Sequence, residues 1–487
     1  MTHHIPPLRR TKIVATLGPA TDQPGEIDRL IEAGADVVRL NYSHGGHADQ
    51  ARRMRAVREA ATRRGIEVGV IADLQGPKIR IGGFRNEPIF LADGATFTLD
   101  AGLSLKDGDD ARVGVTYKKL PRDVHKGDRL LIDDGRIELD VVRVRGDRIQ
   151  CTVASGGELT AAKGVNRAGG GLSAPALTRK DRADLLHAVK QGADYIAVSF
   201  PRTAADIQQA RRLIAQTGRA GRNCGLIAKI ERADAMDHIE GIIQASDGIM
   251  VARGDLGVEI GDAPLVPVQK RLIKQAREMN RLVITATQMM QSMIHSQIPT
   301  RAEVFDVANA VLDGTDAVML SAETSVGDHP YLAVESMARI CAGTEQHSEL
   351  QTPDYNIGRT FERIDEAIAF ATMFAANRIG AKAIVALTET GGTCKWMSRM
   401  NSAIPIYAFT GHVQTQRRVA LYRGVHGIAF KVRRDSSLEV NEDLINDLLA
   451  RGAVRKDDKV IITKGDIFGK TGGTNLLKIV RVGDVIA

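Results

Sequence analysis

Short apolar runs recur along the first two thirds of the chain, and most precede a segment in which apolar residues have helical spacing. The eight runs span residues 12–16, 36–40, 68–73, 195–199, 225–230, 248–251, 282–287 and 316–320. Helical patterns cover residues 24–33, 46–64, 180–191, 203–216 and 267–280. The runs do not alternate with polar residues, which is typical of parallel strands buried on both faces. Eight strand–helix units predict an α/β fold, a (β/α)8 TIM barrel.

One interval, residues 73–178, breaks this rhythm because its helical spacing disappears. Short strand patterns replace it at 95–99, 129–132, 137–144 and 148–154. Asp-Gly pairs at 93–94 and 134–135 predict turns. We therefore predict an all-β domain inserted after the third barrel strand, where it can act as a lid over the barrel rim.

The last part of the chain returns to strand–helix alternation in a separate unit. A helical pattern covers 360–379, and strand patterns follow at 383–387, 404–409, 427–430 and 459–463. These predict a smaller α/β domain on a mostly parallel sheet. We predict barrel segments at 1–75 and 177–345, a lid at 76–176 and a C-terminal α/β domain at 346–487.

The composition narrows the class of protein. Of 487 residues, 43% are hydrophobic and 26% charged, which suits large packed cores. No apolar run reaches the roughly 18 residues of a membrane helix, and the N-terminus lacks the basic-then-apolar order of a secretory signal. The four cysteines lie far apart without a CxxC pair. We expect a cytoplasmic protein with no membrane segment, disulfide framework or zinc site.

The charge balance points to small anionic ligands. The formal net charge is +7, which suits either nucleic acid or phosphorylated metabolites. Aromatic residues make up only 4%, leaving few side chains for stacking on bases. We therefore expect phosphorylated small molecules and no nucleic-acid partner.

Polar residues follow seven of the eight predicted barrel strands directly. In chain order they are Arg39, Asn41, Ser43 and His44; Asp73, Lys78 and Arg80; Ser199 and Phe200; Lys229 and Glu231; Gly254 and Asp255; Thr287; Ser321 and Glu323. A single such group is more often a helix cap or a loop ion pair. Because the carboxyl ends of barrel strands meet at one rim, seven together favour a functional site.

These residue types suit phosphoryl transfer. Glu231 and Asp255 offer hard oxygen ligands that favour Mg²⁺ or Mn²⁺ over zinc. Arg39, Arg80 and Lys229, with Lys163 from the predicted lid, supply positive charge for phosphate groups. A divalent metal, surrounding cations and precise positioning are the parts that phosphoryl transfer needs. Backbone amides at Gly254 and Asp255 are candidates to hold a substrate carboxylate at a helix start.

The motifs at these positions resemble those of the pyruvate kinase family over essentially the whole chain. They read TKIVATLGPAT at 11–21, RLNYSHG at 39–45, DLQGPKIR at 73–80, IDDGRI at 132–137, KGVN at 163–166, AVSF at 197–200, IAKIE at 227–231, VARGDLGVE at 251–259, TATQM at 285–289 and DVANAVLDGTDAVMLSAET at 306–324. The resemblance implies a barrel, a β lid and a C-terminal α/β domain. It also implies transfer of the phosphoryl group of phosphoenolpyruvate to ADP, giving pyruvate and ATP in glycolysis, by a chain that is commonly a homotetramer.

The resemblance also implies roles for single residues. Glu231 and Asp255 would hold the divalent ion, and a second Mg²⁺ would arrive with the nucleotide. The substrate-binding set it implies is Arg39, Lys229, Gly254, Asp255, Thr287, Ser199 and Phe200. Among the catalytic residues it implies, Lys229 stabilises charge on the transferring group and the enolate, Arg39 grips the substrate phosphate, and Thr287, Ser321 and Glu323 relay a proton. The nucleotide-binding set it implies is Asn41, His44, Arg80 and Lys163.

One departure from the family pattern concerns potassium. Many members hold K⁺ at positions matching Asn41, Ser43, Asp73 and the carbonyl of Leu74. K⁺-dependent members carry Glu after the Gly-Pro, where this chain has Lys78. A lysine ammonium can replace the monovalent cation, so the chain resembles the K⁺-independent branch and we expect no K⁺ requirement. The alternative is that Lys78 is a surface charge beside an intact K⁺ site.

A second anion site is predicted in the C-terminal domain. The loop Thr388, Glu389, Thr390, Gly391, Gly392 and Thr393 joins a strand to a helix and offers hydroxyls, glycines and helix amides to a phosphate. In the family the matching loop binds a phosphorylated allosteric effector, and residues 464–474 would close over it. Gly392 stands where many binders of fructose 1,6-bisphosphate carry Arg, which favours a monophosphorylated sugar or AMP. An ordinary glycine-rich turn is the alternative.

Two other function classes compete with phosphotransfer. A metal-dependent barrel lyase or aldolase acting on a pyruvate enolate would share the Glu231–Asp255 metal site. The inserted lid and the cluster of cations argue against it, because a lyase needs no nucleotide clamp. A non-enzymatic binder of anions or nucleic acid is suggested by the basic charge alone.

Overall fold

The computed structural model describes residues 9–347, 350, 360–432, 436–467, 469 and 471–484. Its strands are β1 Lys12–Leu17, β2 Val37–Asn41, β3 Gly69–Asp73, β4 Ile89–Leu91, β5 Thr96–Asp100, β6 Arg112–Gly114, β7 Arg129–Ile132, β8 Ile137–Arg145, β9 Arg148–Ser155, β10 Gly157–Leu159, β11 Val165–Arg167, β12 Tyr195–Val198, β13 Gly225–Ile230, β14 Gly248–Ala252, β15 Leu282–Ala286, β16 Ala317–Leu320, β17 Ala383–Leu387, β18 Ile406–Thr410, β19 Val425–Ala429, β20 Lys459–Lys464 and β21 Leu476–Arg481.

Its helices are α1 Glu26–Ala33, α2 His47–Arg64, α3 Leu120–Asp123, α4 Arg179–Lys190, α5 Ala204–Ala215, α6 Ile239–Ala245, α7 Arg253–Ile260, α8 Asp262–Glu278, α9 Arg301–Leu312, α10 Ala322–Ser325, α11 Pro330–Thr344, α12 Ile364–Ile379, α13 Gly392–Ser398, α14 Val413–Val419 and α15 Ser437–Ala450. Within the described residues, no helix is both long and apolar enough to cross a membrane.

Eight parallel strands close into a barrel, as the apolar runs predict. Their order around the barrel is β1, β16, β15, β14, β13, β12, β3 and β2. Most of their side chains are buried, and those on the outer face form one core with the surrounding helices. The predicted (β/α)8 barrel is therefore confirmed, and its carboxyl ends share one rim.

Aspartates brace the opposite end of the barrel, called here the barrel floor. One aspartate precedes each of β2, β12, β14 and β16. Each carboxylate accepts a hydrogen bond from a backbone amide of the neighbouring strand at 2.8–2.9 Å. Each also pairs with an arginine; the pairs are Asp36–Arg9, Asp194–Arg58, Asp247–Arg211 and Asp316–Arg399. Arg399 follows α13, so the C-terminal α/β unit is tied directly to the floor.

The inserted segment has a β core of its own, with one addition to the prediction. A six-stranded sheet in the order β11, β7, β8, β9, β5 and β6 lies beside a two-stranded sheet of β10 and β4. The strands at 95–99, 129–132, 137–144 and 148–154 are all present, within a few residues of the predicted ends. The segment is not all-β, however, because a short helix, α3, begins at the pair Leu120-Pro121.

The C-terminal sheet is mostly parallel, in the order β19, β18, β17, β20 and β21. Sequence analysis missed β21, an antiparallel edge strand, since its half-exposed side chains give no continuous apolar run. The helix predicted over 267–280 begins instead at Asp262. Pro267 lies inside that helix and was misread as its start, because proline is commonest in a first turn.

Candidate active site

Unusual backbone conformations mark the rim of the barrel. Phe200 after β12 has φ +55°, and Thr287 and Gln288 after β15 have φ +68° and +54°. Non-glycine residues in the left-handed region cost roughly 1–3 kcal/mol each, so the surrounding structure must impose them. The strain lies where β12 and β15 deliver Phe200 and Thr287, two of the predicted substrate-binding residues.

Lys229 lies at the centre of this rim, near the end of β13, and its ammonium has three oxygen partners. Nζ donates to Ser199 Oγ at 2.7 Å and lies 2.8 Å from Glu231 Oε1 and 3.2 Å from Asp73 Oδ1. Burial acts to lower the pKa of Lys229, but the carboxylates of Asp73 and Glu231 outweigh it and raise the pKa. Lys229 is therefore a fixed positive charge.

Glu231 and Asp255 are brought together at the same place. Burial raises the pKa of Glu231 to about 7; Lys229 opposes this shift, and the negative charge of Asp255 adds to it. The backbone amide of Phe200 donates to Glu231 Oε2 at 2.9 Å. Lys78 Nζ lies 3.6 Å from Asp255 Oδ1. The negative charges of the two carboxylates therefore repel each other and are not fully neutralised by the nearby lysines, which favours binding of a cation between them.

Asp73 and Arg39 form the next layer of the site. Arg39 Nε donates to Asp73 Oδ2 at 2.6 Å, and its Nη1 donates to Thr16 Oγ1 at 3.1 Å. Burial would raise the pKa of Asp73, but Lys229 and Arg39 lower it below its ordinary value. Asp73 is thus the shared counter-ion of two predicted phosphate-binding cations.

The predicted monovalent-cation residues use their polar atoms elsewhere. Asn41 Oδ1 accepts from the amide of Ser43 at 3.0 Å, and the carbonyl of Leu74 accepts from Ser199 Oγ at 2.7 Å. Lys78 reaches Asp255, and no ion pair joins it to Asp73 among the described residues. Lys78 thus places its ammonium beside Asp255, and its substitution for a bound K⁺ stays a prediction.

Thr287 is fixed by Gly254, a predicted substrate-binding residue, and by Arg253, to which sequence analysis gave no role. Its Oγ1 accepts from the amide of Gly254 at 2.8 Å. The carbonyl of Thr287 accepts from Arg253 Nη2 at 2.7 Å. Arg253 also forms a bidentate ion pair with Asp306. Arg253 stands in the quoted VARGD run, so its place at a strand end was the available signal.

Ser321 and Glu323 also meet at the rim. Buried Glu323 accepts from the amide of Ser321 at 2.6 Å and from that of Met290 at 3.2 Å. Ser321 Oγ is buried and has no hydrogen-bond partner within the part of the chain that the structure describes. A hydroxyl left in that condition is ready to bond a ligand or water.

The four candidate nucleotide residues are only partly assembled. Gln50 holds the loop after β2 by donating to the carbonyls of Asn41 and His44. Burial, followed by the nearby charges of Arg80, Arg39 and Lys78, lowers the pKa of His44. Arg80 therefore lies close to His44, whereas Lys163 pairs with Asp133 at 2.9 Å within the inserted segment.

The predicted effector loop lines a separate cleft of about 140 Å³ in the C-terminal unit. Thr388, Glu389, Thr390, Gly392 and Thr393 form one wall, and the other is formed by Gly465, Ile467, Gly469 and residues 471–474. Thr393 Oγ1 lies 2.8 Å from Thr474 Oγ1, which joins the walls.

Gly391 directly precedes α13 at φ +79°, and a Cβ there would lie 2.8 Å from Val419, so glycine is required. Among the described residues that line the cleft, Arg363 is the single cation, and it pairs with Asp365 at 2.9 Å.

Comparison with known proteins agrees with this geometry. The family model described as pyruvate kinase, barrel domain, matches residues 8–334, and that described as pyruvate kinase, alpha/beta domain, matches residues 366–480. The chain belongs to the pyruvate kinase family. It is 49% identical to pyruvate kinase II of Salmonella typhimurium over 479 residues, covering 98% of this chain and 99% of that one.

More distant relatives extend the match. Pyruvate kinase of Mycobacterium tuberculosis is 42% identical over 477 residues, covering 98% of this chain and 99% of the relative. The crystal structure of a pyruvate kinase from Cryptosporidium parvum superposes with a TM-score of 0.89 at 34% identity, covering 97% and 96% of the two chains. The chain is therefore a phosphotransferase acting on phosphoenolpyruvate and ADP, and the lyase alternative is not favoured.

Pyruvate kinases need a divalent metal, and the donors present here fit one. Glu231 and Asp255 are hard oxygen ligands whose negative charges repel each other. The described residues contain no cluster of three or more His, Cys, Asp and Glu side chains that could enclose a metal. An ion held by two carboxylates keeps positions open for substrate and water.

Proposed function

We propose that phosphoenolpyruvate binds at the rim around Lys229, with Arg39 on its phosphate and the Gly254–Asp255 backbone and Thr287 at its carboxylate end. Ser199 and Phe200 form the adjoining wall, since both contact the Lys229–Glu231 pair. The observation that carries this proposal is the ammonium of Lys229, buried and fixed between Asp73 and Glu231. A preorganised charge of this kind stabilises the transferring group and the enolate without reorganising water.

Glu231 and Asp255 would hold Mg²⁺ or Mn²⁺, which supplies positive charge to the substrate's phosphate and carbonyl-derived oxygens when bound. Ser321 Oγ, which has no hydrogen-bond partner among the described residues, and Glu323 would pass a proton towards the substrate methylene near Thr287. Asn41, His44 and Arg80 would receive the ADP phosphates. Lys163 would join them on closure of the lid.

A steady-state assay with phosphoenolpyruvate, ADP and Mg²⁺ tests this function. Pyruvate formation that requires ADP supports phosphotransfer, whereas pyruvate release without ADP would support a lyase. The same assay in Tris buffer with and without KCl tests potassium independence. We propose that KCl changes the rate little, because Lys78 already brings an ammonium to Asp255; a large activation by KCl would contradict this.

The C-terminal cleft is proposed to bind a monophosphorylated effector, a sugar phosphate or AMP. One paired cation, Arg363, lines its described walls, which suits one phosphate better than two. Thr388 Oγ1 accepts from the amide of Gly391 at the start of α13, so Thr388→Glu places a negative charge where the phosphate would lie. Effector titrations should shift substrate cooperativity in the parent enzyme and not in T388E. An equal response in T388E would remove the assignment.

Three further proposals concern the domain boundaries, the oligomeric state and the location of the enzyme. The barrel comprises 1–75 and 177–345, the lid 76–176 and the regulatory domain 346–487. The enzyme works as a homotetramer, and it works in the cytoplasm.

A further inference from the structure

Behind the loop after β2, five polar side chains form a closed ring that joins this loop to helix α4. Residues alternate in direction along a strand, so Arg39 and Asn41 share one face and Leu40 and Tyr42 the other. Tyr42 is 2% exposed and belongs to the core between barrel and helices. The loop is therefore anchored from its rear by Tyr42, while Arg39 and Asn41 remain on the site side.

The ring is continuous through measured contacts. Tyr42 Oη lies 3.1 Å from His187 Nδ1, and the His187 ring stacks on His47 with centroids 4.0 Å apart and planes inclined by 5°. His47 Nε2 lies 2.7 Å from Asp184 Oδ1. Lys180 Nζ donates to Asp184 Oδ2 at 2.6 Å and to the Tyr42 carbonyl at 2.7 Å, which closes the ring. We call these five residues the α4 clasp.

The protonation states in the α4 clasp suit these bonds. Burial, followed by the charge of Asp184, raises the pKa of Tyr42, so its hydroxyl keeps its proton and donates to His187. Burial and then the adjacent His47 lower the pKa of His187, so its imidazole is neutral and accepts. Asp184 is 4% exposed in its side chain, and each of its oxygens has a partner.

The α4 clasp acts on the same segments that carry the site. The amide of Tyr42 donates to the carbonyl of Asp73 at 2.9 Å, so Tyr42 also fixes the end of β3. Directly after Lys180 on α4, Asp181 Oδ1 accepts from the amide of Gly76, where the chain leaves the barrel for the lid. Helix α4 is thus the common support for both rim segments.

We infer that Tyr42, His47, Lys180, Asp184 and His187 are positioning residues that set the place of Asn41, Ser43 and His44 for the nucleotide phosphates. This inference rests on the proposed nucleotide site. Its physical reason is that a displacement of about 1 Å in a binding group can cost on the order of 10²-fold in rate. The five side chains themselves face away from the substrates.

Lys180→Met tests the inference because it removes both bonds of one ammonium. The expected result is a KM for ADP raised about tenfold with kcat changed less than about threefold, since the loop shifts while Lys229 stays in place. Lys180→Arg should restore much of the affinity. Lys190→Met, on the exposed end of the same helix, is the matched control and should match the parent. An unchanged KM in K180M would overturn the inference.

Tyr42→Phe guards against a variant that fails to fold, since it removes only one hydroxyl and keeps the ring. A KM for ADP raised about threefold is expected, in line with one lost buried hydrogen bond. A KM equal to that of the parent, in a variant with unchanged thermal unfolding, would count against the α4 clasp.

A double-mutant cycle with His44→Ala separates the positioning role of the α4 clasp from the proposed nucleotide role of His44. If the α4 clasp acts through this loop, K180M and H44A are coupled, and K180M adds little in the H44A background. Additive effects on KM would overturn the α4 clasp as a positioning device. If H44A alone leaves the KM for ADP unchanged, the proposed nucleotide role of His44 fails. If H44A raises it and K180M does not, the α4 clasp alone fails.

Discussion

At the scale of single residues, Lys229 shows how the site keeps a charge in a buried place. Burial disfavours an ammonium, yet Asp73 and Glu231 more than compensate and raise its pKa. Ser199 binds the same ammonium as Asp73 and Glu231 do, so these three partners leave the Lys229 side chain little freedom to move. Charge and position are therefore fixed together, as electrostatic catalysis requires.

Lys229→Met should remove turnover and keep metal binding. Loss of a preorganised charge costs on the order of 10²–10³ in rate, and turnover should fall at least that far. Glu231 loses a competing cation, so Mn²⁺ affinity should stay equal or increase. Steady-state assays and Mn²⁺ binding by electron paramagnetic resonance measure the two effects. Lys274→Met, on an exposed position of α8, is the matched control. Near-normal turnover in K229M would refute the role of Lys229.

At the scale of elements, the barrel floor connects strands that are far apart in sequence. Asp316 accepts from the amide of Val283 at the start of β15 and forms an ion pair with Arg399 after α13. Both Asp316 and Arg399 are almost fully buried in this pair. Breaking a buried pair leaves an uncompensated charge, which is strongly destabilising.

Asp316→Ala should therefore lower thermal stability sharply. The expected loss is about 3 kcal/mol, because Arg399 would remain buried without its partner. Differential scanning calorimetry should show a Tm lower by about 5 °C or more. The exposed Asp237→Ala should leave Tm unchanged, since Asp237 has no ion pair in the described structure. Equal Tm values for D316A and the parent would show that the floor does not depend on this pair.

The lid joins the barrel through Glu259 at the end of α7. Its Oε2 accepts from the amide of Ala233 at 2.8 Å, and its carbonyl accepts from the amide of Gly169, just after β11. Burial raises the pKa of Glu259 to about 7 from its ordinary 4.5. Its neutral form is therefore preferred in the folded enzyme. The stability it contributes is full below pH 4.5 and is lost as the pH rises through 7.

Glu259→Gln should reverse this loss, because glutamine is neutral at every pH. The Tm of E259Q relative to that of the parent should rise between pH 5 and pH 8, by an amount equivalent to at most about 3 kcal/mol. Thermal scans across that range measure it. Exposed Glu278→Gln provides the comparison and should give a difference independent of pH. A flat difference for E259Q as well would contradict the raised pKa.

How much of the structure could be predicted depends on how far apart in the sequence the interacting residues lie. Each barrel strand is a local apolar run, so all eight could be predicted, and their shared rim placed Lys229, Glu231 and Asp255 together. The ion pairs of Asp73 with Arg39 and Lys229 were not predicted, because the three residues lie far apart in the sequence. The α4 clasp depends in the same way on α4 meeting the loop after β2. Periodicity carries no information about such contacts.

At the scale of the whole molecule, one helix links the proposed effector cleft to the barrel. Helix α13 begins at Gly392 in the cleft and ends beside Arg399, whose guanidinium binds Asp316 and the carbonyl of Arg281. Asp316 directly precedes β16, and β16 leads to Ser321 at the rim. The proposed effector cleft is thus connected through α13, Arg399 and Asp316 to the strand that leads to the proposed proton relay.

The proposed homotetramer can be tested at the barrel surface. Phe305 on α9 is 76% exposed, and Ile298 just before that helix is 70% exposed. A single exposed apolar side chain is ordinary, but two within eight residues of the chain mark a candidate for a covered surface. Phe305→Asp should place a charge in that interface and split the tetramer, so that light scattering after size exclusion shows a smaller mass. Phe90→Asp, equally exposed on the lid, should keep the parent mass. A parent enzyme that already runs as a single chain would overturn the tetramer. An F305D variant that keeps four chains would instead place the interface on another face.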